Sequence, residues 1–364
     1  MESNLKVVHI SKFYKPYFGG LESVVADISE GVADSGMDVD VYAIDQDKLC
    51  RYETINNVNV IRSRQNMHIM SQPISFMFLL DIIKCNADIL HVHLPNPLAN
   101  LGVFFKYLLS NKKSKLVLHW HSDIIKQKKM LFFYRPLLNW ILKKSDKIIV
   151  TSNDYLKHSE QLELFNEKCE VIPIGIDTSE QLVNHELVLK IKQKYDNKCI
   201  VFSLGRHIYY KGFEYLLNAA KNTEGAVFLI GGAGPDTNKY KKIVDDNNLN
   251  DKVFFVGRIP DYELPSYFFA SDIFCFPSIE KSEAFGVVQL EAMCLGTPVI
   301  STAIVGSGVS WVNMNNHSGL ICNPKSSEDL EDKLKILISN NDLRRKLGLG
   351  AKSRYKELFK KKND

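Results

Sequence analysis

Short apolar runs rich in β-branched and aromatic residues recur along the chain and alternate with segments of helical length. This pattern predicts parallel strands that are covered on both faces by helices. The first half contains KVVHISKFY, VDVYAI, VNVIRS, DILHVHL, KLVLHWH and KIIVTS, and the second half contains CIVFSLG, AVFLIGG, KVFFVG, IFCFPS and PVISTA. The sequence therefore predicts an α/β protein with two doubly wound, Rossmann-like domains.

The domain boundary is predicted in a polar stretch, roughly residues 178–197, between VIPIGID and CIVFSLG. We place the first domain at residues 1–177, the second at 178–350, and a C-terminal helix at 351–364. Ligands bind beyond the carboxyl ends of the strands in doubly wound sheets, so two facing domains predict a ligand cleft between them. The C-terminal helix is short and strongly charged, which leaves open whether it returns to the first domain.

Charge is balanced overall but unevenly distributed. The 46 basic and 42 acidic side chains give a net charge of +4, which is too small to indicate a nucleic-acid partner. Residues 101–150 nevertheless form a basic patch, with Asp123 and Asp146 as its acidic residues. The basic residues there are Lys106, Lys112, Lys113, Lys115, Lys126, Lys128, Lys129, Arg135, Lys143, Lys144 and Lys147.

Cysteine usage and the N-terminus predict a cytoplasmic location. The seven cysteines are scattered, form no CxxC pair and are expected to be reduced. The chain enters a strand pattern directly, without the features of a signal peptide, and no apolar run approaches the roughly 20 residues that cross a bilayer.

Two glutamates stand in the stretch SEAFGVVQLEAM, with seven residues between Glu283 and Glu291. A helix is predicted from residue 285 or 286 to Leu295, with Gly296 as its stop. Free N–H groups and the positive dipole end make a helix start suitable for a phosphate or a carboxylate. Taken alone, Glu283 could simply complement the helix dipole and Glu291 could be a surface residue.

The stretch SLGRHIYYKGFEYLLNAA places two cations where a strand ends and a helix begins. Arg206 follows the strand and Lys211 precedes the helix, an arrangement suited to a pyrophosphate. A lone cation there would be a solvated loop residue. Near the N-terminus, Gly19 and Gly20 lie between a strand and a helix and allow backbone N–H groups to approach a ligand closely, although this is not a GxGxxG motif.

The combination of FGGLE, VIPIGID, GRHIYYKGFEYLLNA, VFFVGRI and SEAFGVVQLEAMCLGTPVIST resembles the retaining glycosyltransferases of family four, which have the GT-B fold. The resemblance spans almost the whole chain. It implies an acceptor-binding first domain and a second domain that binds a nucleotide sugar.

The same resemblance implies roles for individual residues. Arg206 and Lys211 would neutralise the donor diphosphate, Glu283 would hold sugar hydroxyls, and Glu291 would take the ribose hydroxyls. Further donor-binding groups would be Gly19 and Gly20 from the other domain, the backbone of Phe285, Gly286 and Val287, and Arg258 in VFFVGRI.

Two of the predicted first-domain strands carry a pair of histidines. In LVLHWHSDII, His121 matches the family histidine that lines the pocket near the reacting carbon, whereas His119 is expected on the opposite face and is treated as core. His91 and His93 share one strand face, as part of the cleft wall or as structural histidines.

Metal binding is not predicted. The DVD at residues 38–40 and the DQD at 45–47 mimic the metal-binding DxD of a different glycosyltransferase fold. However, the first lies where a helix stops and a strand begins, with Asp40 at an alternating polar position. No Cys/His cluster has zinc spacing in the sequence. We therefore expect catalysis without a metal or another cofactor.

The expected reaction is transfer of a hexose, with retention, from a nucleoside diphosphate sugar to a lipid-linked saccharide in bacterial O-antigen, capsule or exopolysaccharide assembly. GDP-mannose is the first donor candidate because HWHSDIIKQKK and SGVSWVNMNNHSGLICNP resemble bacterial mannosyl- or rhamnosyltransferases of surface polysaccharide synthesis. A UDP-hexose or UDP-N-acetylhexosamine is the second. A nucleotide-sugar epimerase and a two-lobed sugar-binding protein are the alternatives from other classes.

The segment KQKKMLFFYRPLLNWILKKSDK is apolar nearly all round its helical projection, and Pro136 is expected to break it into two pieces. It is either a buried core helix or a loose anchor at the inner membrane surface. The anchor would combine four aromatic residues with lysines at both ends. These residues are Phe132, Phe133, Tyr134, Trp140, Lys126, Lys128, Lys129, Lys143 and Lys144.

Overall fold

The computed structural model describes residues 5–17, 19–45, 51–69, 72–110, 114–124, 128–177 and 182–361. The chain divides into two compact units, Met1–Ile172 and Pro173–Asp364. The division therefore falls five residues before the boundary predicted from the sequence.

Ten strands and five α-helices build the described part of the first unit. The strands are β1 (Lys6–Ile10), β2 (Asp38–Asp45), β3 (Tyr52–Ile55), β4 (Val58–Arg64), β5 (Met67–Ile69), β6 (Gln72–Ile74), β7 (Ile89–Leu94), β8 (Lys115–Trp120), β9 (Lys147–Val150) and β10 (Cys169–Val171). The helices are α1 (Gly20–Asp34), α2 (Phe76–Lys84), α3 (Pro97–Leu109), α4 (Lys128–Lys144) and α5 (Asn153–Lys157).

The main sheet of the first unit has the strand order β10-β9-β8-β7-β1-β2-β4-β3. The pairs within it are parallel, apart from the antiparallel edge pair of β3 and β4. The central strands β1 and β7 are buried at nearly every position, as a parallel sheet covered on both faces requires. Apolar side chains of alternate positions can therefore enter two core layers.

Six strands and eight α-helices build the described part of the second unit. The strands are β11 (Cys199–Leu204), β12 (Ala226–Gly231), β13 (Val253–Gly257), β14 (Ile273–Phe276), β15 (Val299–Thr302) and β16 (Gly319–Cys322). The helices are α6 (His185–Lys194), α7 (Phe213–Ala220), α8 (Thr237–Asp246), α9 (Leu264–Ala270), α10 (Val288–Cys294), α11 (Val309–Val312), α12 (Ser327–Ser339) and α13 (Asn341–Leu358).

The sheet of the second unit is parallel, with the order β13-β12-β11-β14-β15-β16. All six positions of β12 are buried. Strand order reverses between β11 and β14, the point at which doubly wound sheets open a crevice for a ligand. The loops that follow β11 and β14 are therefore the places where a site is expected in this unit.

Helix ends follow local sequence signals. Ser326 caps α12 by accepting a hydrogen bond from the backbone N–H of Asp329 at 3.1 Å. Asn96 caps α3 in the same way, with Pro97 in the first turn. The polar stretch at the predicted boundary is not simply a linker, because it contains α6, which begins after the capping residue Asn184.

Two predicted helix limits were wrong. The α10 helix begins at Val288 instead of residue 285 or 286, because Gly286 has a φ of +77°, which a right-handed helix cannot include. Pro136 does not break α4, which runs continuously from Lys128 to Lys144. Proline removes one backbone hydrogen bond, but buried side chains such as Ile141 anchor the following turn to the core.

The described end of the C-terminal helix packs on the second unit. The hydroxyl of Tyr355 donates to the carbonyl oxygen of Ile176 at 2.9 Å, and the buried Phe359 ring contacts the rings of Phe285 and Trp311. Among the described residues, no helix combines the length and the apolar character needed to span a bilayer.

Candidate functional site

The loops after β11 and β14 are held together by a glycine that no other residue could replace without strain. Gly212 has a φ of +69°, and a Cβ there would lie 1.9 Å from the carbonyl oxygen of Pro277. Next to it, the N–H of Ile279 donates to the carbonyl oxygen of Tyr210 at 2.8 Å. The chain after β11 is thereby fixed against the end of β14.

This contact places Lys211 beside Glu283. The Nζ atom of Lys211 lies 2.5 Å from Oε2 of Glu283, and the Ser278 hydroxyl donates to the same oxygen at 3.1 Å. The lysine also lies over the Phe276 ring, 5.1 Å from its centroid. The two predicted site residues are therefore brought together, and the ion pair is half-buried.

The backbone around Glu283 is held by residues that the sequence analysis did not single out. The Ser307 hydroxyl donates to the carbonyl oxygen of Glu283, and the N–H of Gly308 donates to that of Ala284 at 2.7 Å. Phe285 is buried, so it contributes packing as well as backbone groups. The sequence feature that could have predicted this support is the string VGSGVS. It follows a buried strand and combines two glycines with two hydroxyl residues.

Glu291 lies in the first turn of α10 and is half-buried. Burial, together with the smaller effect of the negative charge of Asp261, raises its pKa to about 8. Glu291 therefore holds its proton at neutral pH in the free protein. A carboxyl group in that state can both donate and accept hydrogen bonds.

Arg206 lies two residues after the end of β11, Arg258 follows β13 directly, and both are exposed. Neither forms an ion pair within the part of the chain that the structure describes. Both guanidinium groups are thus available to an anion at the carboxyl edge of the sheet. A cavity of about 550 Å³ in the same unit is lined by residues of α6, α8 and β13, and none of the predicted site residues lines it.

In the first unit, His119 lies on the same face of the sheet as His121, so its assignment to the opposite face was wrong. Residues two apart in a strand point to one side. The two rings stack with centroids 4.3 Å apart and an interplanar angle of 3°. His93 stacks on both of them, at 5.3 Å from each.

The stack extends across three neighbouring strands. His91 and His93 of β7 stack at 4.7 Å, and His9 of β1 lies 4.6 Å from His91. We call these residues with His119 and His121 the histidine ladder. All five side chains are buried, and burial lowers their pKa, to about 4 for His91 and about 3 for His121.

The structure also shows the surroundings of the remaining predicted residues of the first unit. Gly19 caps α1 in extended backbone, and a Cβ at Gly20 would meet open space. The aspartates of the DVD stretch both pair with Lys6, since its Nζ lies 3.1 Å from Asp38 and 3.0 Å from Asp40. In the DQD stretch Asp45 accepts from the Tyr17 hydroxyl, and residues 46 and 47 lie outside the described residues.

Two doubly wound, mainly parallel sheets, one in each unit, are the Rossmann-like halves of the GT-B glycosyltransferase fold. Residues 18–180 match the family described as Glycosyltransferase Family 4, and residues 185–354 match Glycosyl transferases group 1. The chain belongs to glycosyltransferase family four.

Individual relatives cover the chain from end to end. It is 30% identical over 358 residues to the O-antigen chain mannosyltransferase C of Escherichia coli, covering 98% of this chain and 94% of the relative. It is 29% identical to the D-rhamnosyltransferase WbpZ of Pseudomonas aeruginosa, covering 98% and 92%. The structure of Anabaena HepE in complex with UDP matches with a TM-score of 0.79 at 18% identity, covering 98% and 96%.

Proposed function

We propose that this glycosyltransferase moves a hexose, with retention and without a metal ion, from a nucleoside diphosphate sugar to a lipid-linked saccharide in surface polysaccharide assembly. The observation that carries the proposal is the contact between Lys211 and Glu283 at the end of β14, with the exposed Arg206 at the end of β11. A cation and a carboxylate side by side suit a ligand that is anionic at one end and carries hydroxyls at the other.

The two cations would act on the donor diphosphate. Cleavage of the glycosidic bond leaves additional negative charge on the diphosphate oxygen that departs from the sugar. Arg206 can bind two oxygens through its planar fork, and Lys211 supplies a point charge. Stabilising the developing charge in this way lowers the barrier of the transfer step.

Glu283 is suited to the sugar. Its Oε2 is occupied by Lys211 and Ser278, whereas its Oε1 makes no hydrogen bond within the described residues. A carboxylate oxygen fixed in this manner can accept a hydrogen bond from a hexose hydroxyl. The neighbouring backbone of Phe285, Gly286 and Val287 would complete the contacts with sugar and phosphate.

The outer parts of the donor would meet other predicted residues. Glu291 would bind the ribose hydroxyls, and Arg258 would support the nucleotide diphosphate. From the first unit, the backbone of Gly19 and Gly20 would approach the diphosphate. The neutral His121 would line the acceptor side near the reacting carbon, as a hydrogen-bonding group and not as a cation.

The mannosyl- and rhamnosyltransferase relatives support a GDP-linked sugar, with GDP-mannose as the first candidate. A UDP-hexose or UDP-N-acetylhexosamine is the second candidate, which the UDP complex of the structural relative supports. Membership of the family favours transfer over epimerisation or simple sugar binding.

The acceptor proposal is supported by the surface of α4. Phe132 and Phe133 are 74% and 83% exposed, while Ile141 and Leu142 are buried. Lys143 and Lys144 are exposed at the end of the same helix. A helix with one face on the core, exposed aromatic rings and terminal lysines suits the headgroup region at the inner face of a plasma membrane, where a lipid-linked saccharide would be presented.

A screen of nucleotide sugars tests the proposed donor. The full chain is incubated with GDP-mannose, GDP-rhamnose, UDP-glucose and UDP-N-acetylglucosamine, and thermal midpoints and slow donor hydrolysis are measured. We expect GDP-mannose to give the largest shift and to release GDP, and Glu283→Gln to retain most of the shift given by GDP alone. Equal shifts with all four donors, or hydrolysis of only the UDP sugars, would overturn the assignment of the donor.

A further inference from the structure

The histidine ladder is an unusual use of a buried sheet face. Five imidazoles lie within one core layer of the first unit, where apolar side chains normally pack. The register explains how they meet, because His9 pairs with His91 and His93 pairs with His119 in adjacent parallel strands. The glycosyltransfer proposed above uses at most one of them, His121.

Several ring nitrogens of the ladder are buried without a partner. Within the described residues, both nitrogens of His119 and the Nε2 atoms of His9 and His91 form no hydrogen bond. A buried polar atom without a partner costs free energy of about 1–3 kcal/mol. Because a neutral imidazole carries one N–H and one lone pair, His119 holds one buried lone pair without a partner, which a metal ion could accept.

The spacing of the nitrogens suits a metal ion. Nδ1 of His93 lies 3.0 Å from Nε2 of His121, and one nitrogen from each of His93, His119 and His121 lies within 4.8 Å of the others. Two nitrogens bound to one tetrahedral zinc ion at about 2.0–2.1 Å are roughly 3.3–3.4 Å apart. Because the lone pair of a ring nitrogen lies in the plane of its ring, the stacked rings would have to rotate about their side-chain bonds to direct the three nitrogens at one ion.

We propose that His93, His119 and His121 form a binding site for one divalent transition-metal ion, of the kind that prefers imidazole ligands, such as zinc. Neutral imidazole is a suitable ligand for zinc, copper and nickel, and three histidines leave a fourth position for water. On binding, the proton that now lies between His93 and His121 moves to the other nitrogen of its own ring, so that each ligand stays a neutral imidazole and no net proton is released.

A second group of three, His9, His91 and His93, has a similar spacing, with Nδ1 of His9 at 3.2 Å from Nε2 of His93. We favour the first group because His121 follows the end of β8 and is 9% exposed, so an ion can reach it, whereas His9 is completely buried.

This site shares His121 with the proposed function, but it does not bind the donor diphosphate. The diphosphate would be bound by Arg206 and Lys211 in the second unit, so a metal held by the ladder has no part in neutralising it. Glycosyl transfer that continues after metal has been removed is therefore compatible with zinc binding by the ladder. Either of these two predictions can fail without the other.

The test uses zinc chloride as the only ligand. The full chain is freed of metal with EDTA, exchanged into metal-free buffer at pH 7.5 and titrated by calorimetry. His119→Phe removes a proposed ligand without breaking a hydrogen bond of the described residues. His91→Phe is the matched control, because it removes an equally buried ring of the same ladder that lies outside the proposed three.

We expect the parent and His91→Phe to bind one zinc ion per chain, and His119→Phe to bind it at least tenfold more weakly. If His119→Phe does not fold, His121→Phe replaces it, since His121 is the most exposed ligand. An absence of stoichiometric binding by the parent would overturn the proposal. Unchanged affinity in His119→Phe, or an equal loss in both variants, would also overturn it.

Discussion

Nζ of Lys211 lies 2.5 Å from Oε2 of Glu283, although 72 residues separate the two in the chain. Their side chains are 16% and 13% exposed, so the pair is shielded from most of the solvent. The contact exists because Gly212 allows the chain after β11 to touch the end of β14. The pair therefore orients the lysine and the carboxylate before any donor is bound.

Replacing either donor-facing cation by alanine should slow transfer strongly. Loss of a group that stabilises developing charge costs about 3 kcal/mol, which is roughly a hundredfold in rate. We expect Arg206→Ala and Lys211→Ala each to lower kcat/KM by about that factor while the far-UV circular dichroism spectrum stays unchanged. Initial rates with the donor found in the screen measure the effect.

The second unit offers a matched control for this experiment. Lys239 also lies 2.5 Å from a carboxylate, that of Glu214, but these side chains are 55% and 44% exposed. Lys239→Ala should leave the rate within about twofold of the parent, because exposed ion pairs contribute little. If Lys211→Ala turns over as fast as Lys239→Ala, Lys211 has no role in transfer.

Glu291 should make the stability of the protein depend on pH. Its pKa of about 8 in the folded state exceeds the ordinary value of 4.5, so the folded protein keeps a proton that the unfolded chain has lost between these values. Stability contributed by this group is thus complete below pH 4.5 and is lost as the pH rises through 8. The loss is at most about 1.4 kcal/mol per pH unit.

Glu291→Gln removes this titration while keeping the shape of the side chain. Relative to the parent, the variant should gain thermal stability as the pH is raised from 5.5 to 8.5. Glu328→Gln, at an exposed position of α12, is the control and should show a constant difference. Thermal midpoints at four pH values within this range provide the measurement. A constant difference for Glu291→Gln as well would show that its carboxyl group titrates normally.

The sequence predicted the elements of the fold that have a strong local pattern. Buried runs such as AVFLIGG became β12, and the glycine after Leu295 ends α10 in left-handed backbone, as predicted. Weakly patterned elements were missed. The exposed edge strand β3 carries alternating burial over only four residues, and β16 is equally short. Such segments form strands because a neighbouring strand pairs with them, which local composition does not reveal.

The candidate site could also be predicted only in part from the sequence. Positions at a strand end and before helix starts predicted Arg206, Lys211 and Glu283 as site residues, because such positions can be inferred from chain order alone. The support from Ser307 depends on a hydrogen bond across 24 residues. The histidine ladder depends on the register of β1, β7 and β8, so no spacing of histidines along the sequence could reveal its groups of three.

Transfer should not require a divalent metal. Arg206, Lys211 and backbone N–H groups supply the positive field that Mg²⁺ or Mn²⁺ provides in other transferases. Initial rates should be unchanged, within about twofold, in excess EDTA. As a control, EDTA-treated enzyme is assayed with Mn²⁺ restored. Loss of activity with EDTA and recovery with Mn²⁺ would contradict this prediction.

The exposed face of α4 should hold the protein to anionic membranes. Each lysine or arginine near such a surface contributes about 1 kcal/mol, and the partly inserted rings of Phe132 and Phe133 add apolar burial. Lys126 lies outside the described residues, and the side chains of Lys128 and Lys129 are likewise not described. We expect the parent to sediment with vesicles containing phosphatidylglycerol at low salt and to be released at high salt.

Two triple variants test whether vesicle binding depends on the lysines of α4 or on the net charge of the protein. Glutamate at Lys126, Lys128 and Lys129 should abolish sedimentation, because three favourable contacts become repulsive. Glutamate at the exposed Lys239, Lys241 and Lys242 of α8 changes the net charge by the same amount and should have little effect. Equal recovery of both variants in the pellet would exclude α4 as the anchor. Its exposed phenylalanines would then have to meet another partner, because 74% and 83% exposure is incompatible with a place in the core of this chain.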